Sequence, residues 1–240
     1  MSTPIVAVRG LTKRYDSTTA VHDLSFELPP GRVLTMVGPN GAGKTTSLRA
    51  IAGIIQPTDG TAEVMGFDVQ RTPVQAKQKL AWVPHDPKLF DALTVLEHLE
   101  FAATAWGVSS YEEAAKDLLE RFDLLEKQDE VAQALSTGMR QKLALCCAAI
   151  HKPDLLMLDE PMTGLDPRAI RTMKAWITEE AARGSSVIVS SHLLTVVADI
   201  STDLLILVRG EAKFFGTIPE AQATYGLDDL ESLFFKATGT

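Results

Sequence analysis

The 240-residue sequence predicts an α/β fold with an antiparallel β subdomain at the front and an α-helical subdomain inserted in the middle. Three observations point that way. Short β-like runs crowd the stretch from Ile5 to Met65, helical periodicity takes over from Thr94 to Ile150, and fully apolar runs of the kind buried in parallel sheets return at Leu155 to Leu158 and Ser186 to Val189.

In order along the chain, β-like runs fall at Ile5 to Val8, Leu24 to Leu28, Val33 to Val37 and Thr61 to Met65, separated by the turn signals Pro29-Pro30-Gly31 and Thr58-Asp59-Gly60. Helices follow. Thr94 and Glu97 match a capping box ahead of Leu99, Ala102, Ala103 and Trp106, and Ser110 with Glu113 repeats the pattern ahead of Leu118, Leu119 and Phe122. Between the two later apolar strands, Asp166 can cap a helix that Pro167 begins. Leu204 to Val208 and Ala212 to Phe215 read as closing strands, with a helical tail around Leu227 to Phe235. The expected organisation is one domain over 1–240, with residues 1–85 and 152–217 as β subdomain and core, 86–151 as the helical subdomain and 218–240 as the tail.

Bulk properties narrow the function. With 45% hydrophobic residues the chain can bury a sizeable core, and a formal charge of -8 disfavours a broad basic face gripping nucleic-acid phosphates. The longest apolar candidate, Leu193 to Val208, is interrupted by Asp199 and Asp203 and falls short of the ~20 residues that span a bilayer. Met1 to Gly10 carries no secretory pattern, so the expected location is the cytoplasm. The adjacent cysteines Cys146 and Cys147 suit neither a structural disulfide nor a four-ligand metal site; with Met139, Leu143 and Ile150 they form one apolar helical face.

The most specific signal is Gly38-Pro39-Asn40-Gly41-Ala42-Gly43-Lys44-Thr45-Thr46, which follows the apolar run Val33 to Val37 and opens a helical stretch. Glycines let consecutive backbone N–H groups turn inward around phosphates, Lys44 can reach the β and γ oxygens, and Thr45 can offer a hydroxyl to Mg²⁺. The following helix points its positive end at the same anion. This pattern implies a bound nucleoside triphosphate.

A second signal is the pair Asp159-Glu160 at the end of an apolar strand. Burying unpaired carboxylates is expensive, and a magnesium ion beside the phosphates supplies the reason: Asp159 would hold the metal or its water, and Glu160 would face the attacking water as general base.

Taken with four further strings in order, the chain resembles the ATP-binding cassette (ABC) ATPases from about Leu11 to Thr217. The resemblance implies a phosphate-loop NTPase core of the RecA-like kind that binds ATP and Mg²⁺. Leu135-Ser136-Thr137-Gly138-Met139 resembles the family signature Leu-Ser-Gly-Gly-Gln, with Ser136 and Gly138 kept and Met139 in place of glutamine. In the family this segment closes over the γ-phosphate held by a neighbouring subunit, and Ser136 as a helix N-cap makes a second anion-binding terminus. Gly164-Leu165-Asp166 resembles the loop that contacts the partner's phosphate loop, His192 the switch histidine that reaches the γ-phosphate, and Tyr15 the aromatic that stacks on adenine.

The departure is His85, in Trp82-Val83-Pro84-His85-Asp86, where the family places a glutamine that touches Mg²⁺ and links the site to the membrane partner. A neutral imidazole can accept a contact from metal-bound water, whereas an imidazolium would be repelled. The resemblance implies an ATPase subunit that pairs with a second ATP-binding subunit and drives a separate transmembrane permease, of the exporter-like branch that carries Ser-Thr-Gly-Met signatures. The other class is a soluble ABC ATPase acting in metal-cluster assembly or on nucleic acid.

Overall fold

In the computed structural model, which describes residues 3–192 and 198–239, the chain builds two sheets and a set of helices around them. Strands β1 (Val6–Tyr15), β2 (Thr18–Leu28), β4 (Asp59–Val64) and β5 (Phe67–Asp68) form an antiparallel sheet in the order β2-β1-β4-β5. The second sheet runs β10-β9-β3-β8-β7-β6, from β3 (Val33–Val37), β6 (Leu80–Val83), β7 (Leu155–Asp159), β8 (Ser186–Ser191), β9 (Asp203–Val208) and β10 (Glu211–Thr217). All its pairings are parallel except β9 with β10.

Both faces of the parallel sheet are covered, which explains why its strands read as continuous apolar runs. Along β7, Leu155 and Met157 face a core shared with the antiparallel sheet and with α1 (Lys44–Ile51), where Leu11, Met36 and Leu48 pack. Leu156 and Leu158 point the other way, as strand alternation requires. They meet a second core formed with α3 (Val95–Ala105), α4 (Glu112–Arg121), α5 (Thr137–Ala149) and α6 (Pro167–Ala182). A short helix α2 (Pro73–Lys77) precedes β6.

Several sequence expectations meet their structural counterparts. The Thr94–Glu97 capping box is complete, with both reciprocal hydrogen bonds present, and Asp166 caps α6 by accepting from the Arg168 and Ala169 amides. Those donors hold the Asp166 carboxyl below the usual range, the Ala169 amide most strongly. Cys146 is buried in the second core and Cys147 packs against it; burial pushes the Cys147 thiol up to about 12, so it behaves as an apolar group.

Other expectations need correction. Strands β1 and β2 are longer than their apolar centres suggested, because they pair along nearly their whole length, from Val6 with Leu28 to Tyr15 with Thr18. Ser110 does not cap α4. The residue before that helix is Tyr111, already in helical geometry and packed on the second core, and no side chain caps it. Anchoring the Tyr111 ring fixes where the helix starts. The tail is two helices, α7 (Ile218–Tyr225) and α8 (Leu230–Thr238). Gly226 ends the first with φ 67°, a left-handed geometry that favours glycine, while Thr217 and Glu220 begin it with a capping box. Of the apolar stretch 193–208, residues 193–197 lie outside the described residues, and Asp203 starts β9 paired to Arg32 at 2.7 Å. No helix among the described residues is long and apolar enough to cross a membrane.

An edge-to-face ring pair ties the end of α4 to α6. The Phe122 ring, at the end of α4, lies 5.8 Å from that of Trp176 on α6, and both are buried. Phe122→Ala is expected to remove about 3–5 kcal/mol of stability. Denaturant titration tests it; an unchanged midpoint would mean that the contact does not join the two parts.

Candidate functional site

Parallel register assembles the site. Val83 pairs with Leu158, Asp159 with Ser190 and Val37 with Ser191, so the carboxyl ends of β6, β7, β8 and β3 lie side by side. Ligands of open α/β sheets bind at that edge. His85 follows β6, Asp159 and Glu160 close β7, Ser190 and His192 come from the end of β8, and the phosphate loop follows β3.

The loop is shaped by its neighbours as well as by its glycines. A Cβ on Gly38 would fall 2.2 Å from the Leu207 carbonyl oxygen, and one on Gly43 would fall 2.5 Å from that of Ala20. Gly43 also has φ 104°. Side chains are therefore excluded at both ends, and the backbone between them is free to curl.

Lys44 is only 7% exposed, and its ammonium donates to the Gly38 carbonyl at 2.7 Å and the Pro39 carbonyl at 3.3 Å. Glu160 lies 3.6 Å away. Burial pushes the Lys44 ammonium below its ordinary value, and the carboxylates of Glu160 and Asp159 work against that shift. A buried cation so placed has a strong demand for anionic partners.

A chain of hydrogen bonds fixes the carboxylates. Thr45 Oγ1 donates to Asp159 Oδ2 at 2.8 Å, Ser190 Oγ donates to Asp159 Oδ1 at 2.6 Å, and the Glu160 amide donates to Ser190 Oγ at 2.9 Å. Glu160 needs this support. Its φ of 52° lies in the left-handed region, uncommon for a residue with a side chain. Glu160 Oε2 in turn meets His192 Nδ1 at 2.8 Å and the His192 amide at 3.4 Å.

These residues enclose a cavity of about 620 Å³ lined by Tyr15, residues 40–46, His85, Glu160, Thr163 and His192 with Ala20. Among the sequence candidates, Tyr15, Asn40, Gly41, Ala42, Gly43, Lys44, Thr45, Thr46, His85, Glu160 and His192 meet there, with Gly38, Pro39 and Asp159 directly behind. Ser136, Gly138, Met139 and Asp166 stand apart from that wall. Ser136 caps α5 by accepting from the Met139 amide at 3.3 Å, and the Cβ position of Gly138 lies 3.3 Å from the Gly164 carbonyl, so these two segments share one neighbourhood.

Ser190 was not a sequence candidate. As one serine at the end of a strand it carries no motif, and only the pairing of β7 with β8 reveals its place between Asp159 and Glu160. Ser190→Ala would leave a buried carboxylate oxygen and an amide without a partner, at about 1–3 kcal/mol for each group. Equilibrium unfolding of the variant should show that loss; stability equal to the parent's would remove Ser190 from the account.

Comparison with known proteins agrees with this geometry. Residues 21–163 match the family model described as ABC transporter. The chain is 32% identical over 98% of its length to the ABC-type transporter ATP-binding protein EcsA of Bacillus subtilis, covering 96% of that protein. It is 34% identical over 87% of its length to the Nod factor export ATP-binding protein I of Ralstonia nicotianae, covering 66% of it. A solved ATP-binding subunit of an ABC transporter superposes with TM-score 0.92 at 31% identity, over 97% of this chain and 99% of that one. An Atm1-family ABC exporter with ATP bound shares the fold, with TM-score 0.85 at 23% identity over 98% of this chain and 42% of that one. The chain therefore belongs to the ABC transporter family as an ATP-binding domain, in a family that hydrolyses ATP to power transport.

Proposed function

We propose that this chain is the ATPase subunit of an exporter, acting as a pair of ATP-binding subunits that sandwich two ATP molecules and drive a separate transmembrane permease from the cytoplasmic side. The observation that carries this reading is the division of the functional residues. Lys44, Thr45, Glu160 and His192 share one cavity, while Ser136, Gly138 and Asp166 line no part of it. A second subunit would supply the missing half of each site.

Within the cavity, the phosphate-loop amides and Lys44 would hold the β- and γ-phosphates, and Tyr15 would stack on adenine. Glu160 would take the proton from the attacking water, and His192, already bonded to Glu160, would fix the carboxylate's direction and reach the γ-phosphate. The Thr45 hydroxyl and Asp159 carboxylate, 2.8 Å apart, are hard oxygen donors that suit Mg²⁺. When bound, Mg²⁺ supplies charge neutralisation on the phosphate oxygens. Ser136 has its oxygen engaged as acceptor by the Met139 amide, which leaves its hydroxyl proton for the partner's γ-phosphate. ATP would hold two subunits together through the charge of that phosphate, and cleavage would release them.

The permease reading is supported by a second cavity of about 990 Å³, between the sheet edge and α3, whose walls include Trp82, Leu89, Phe90, Phe101 and Trp106. His85 lines both cavities. It is thus suited to carry contact between nucleotide and permease. Export is the direction favoured by the Ser-Thr-Gly-Met signature and by the Nod factor export relative.

The decisive variant is Glu160→Gln, which keeps the shape of the site and removes the base. With ATP and Mg²⁺ it should bind nucleotide, leave it uncleaved and elute as a dimer in size-exclusion chromatography. Hydrolysis at the parent's rate would exclude Glu160 as the base, and a monomer under saturating ATP would contradict the sandwich.

A further inference from the structure

Tyr15 is 44% exposed at the end of β1, a loose position for a ring that must meet a base. Lys13 lies two residues earlier, on the same strand face. Its ammonium lies over the Tyr15 ring, 4.9 Å from the centroid, and donates a hydrogen bond to the Gln56 carbonyl at 2.9 Å. Gln56 belongs to the connection between α1 and β4, so Lys13 ties the base-facing strand to the far end of the phosphate-loop helix. The cavity wall at this point is Tyr15, and neither Lys13 nor Gln56 is part of it.

We propose that Lys13 is a positioning residue for the nucleotide base: held by Gln56, it clamps Tyr15 from the ring face turned away from the cavity. Two physical effects follow. The cation–π contact restricts the side-chain rotamers of Tyr15, so less freedom is lost when adenine arrives. The ammonium also draws π-electron density toward itself, which makes the opposite face a better surface for an electron-rich purine. Lys13 does not touch the phosphates in this arrangement, so its contribution is confined to the base.

The inference rests on the reading of Tyr15 as the adenine platform, and the experiment separates the two. Lys13→Met keeps the length of the side chain and removes its charge; Lys13→Arg keeps a cation. For Lys13→Met, the KM for ATP should rise about two- to five-fold, the range of an exposed cation–π contact, with kcat unchanged. Competition by tripolyphosphate, which has no base, should be unaltered, and Lys13→Arg should restore the ATP KM. Equal weakening of ATP and tripolyphosphate would show that Lys13 acts on phosphate charge, and an unchanged ATP KM would show that it does not act at all; either result overturns the clamp. Tyr15→Ala is run beside them. If it leaves ATP binding unaltered, the platform reading fails; if it weakens ATP while Lys13→Met does not, the clamp alone fails.

Discussion

The hydroxyl of Ser190 sits between the Asp159 carboxylate and the Glu160 amide, and the rest of the site hangs on that point. It holds Asp159 toward Thr45 at the start of α1 and supports Glu160 in a left-handed backbone conformation, from which its carboxylate reaches both Lys44 and His192. Ser190 can do so because Asp159 and Ser190 are register partners on adjacent parallel strands. A shift of one residue in that register would turn every side chain of β8 to the opposite face and withdraw the Ser190 hydroxyl from between the Asp159 carboxylate and the Glu160 amide.

The sheet holds its register because both of its faces are buried. Leu155 and Met157 go to one core, Leu156 and Leu158 to the other, so sliding the strand would exchange two well-packed sets of neighbours at once. Packing energy spread over two cores thereby fixes the placement of a few charged groups. The same edge of the sheet carries His85 after β6, which lines the phosphate-loop cavity on one side and the apolar cavity near α3 on the other. One strand end therefore borders both cavities.

What was legible in the sequence was whatever depends on short stretches of chain. The phosphate loop, the Thr94 and Asp166 caps and the apolar strand ending in Asp159-Glu160 each carry their physics within a few residues. Ser190 was invisible because its role comes from a neighbour 31 residues away across a strand pair. Ser110 misled for a related reason: its local pattern is a good cap, but the packing of Tyr111 on the second core sets the helix start. The break in the tail lies at Gly226, whose left-handed backbone ends a helix that the Thr217–Glu220 capping box begins.

Lys44, buried and 3.6 Å from Glu160 at the edge of the parallel sheet, is the cation on which the proposed triphosphate site rests. Its role is read by titrating ATP and Mg²⁺ into the Lys44→Ala protein, with circular dichroism to show that the variant is folded. The account predicts affinity weaker by on the order of a hundred-fold, the loss that follows when one member of a buried charged pair is removed; affinity equal to the parent's would contradict it.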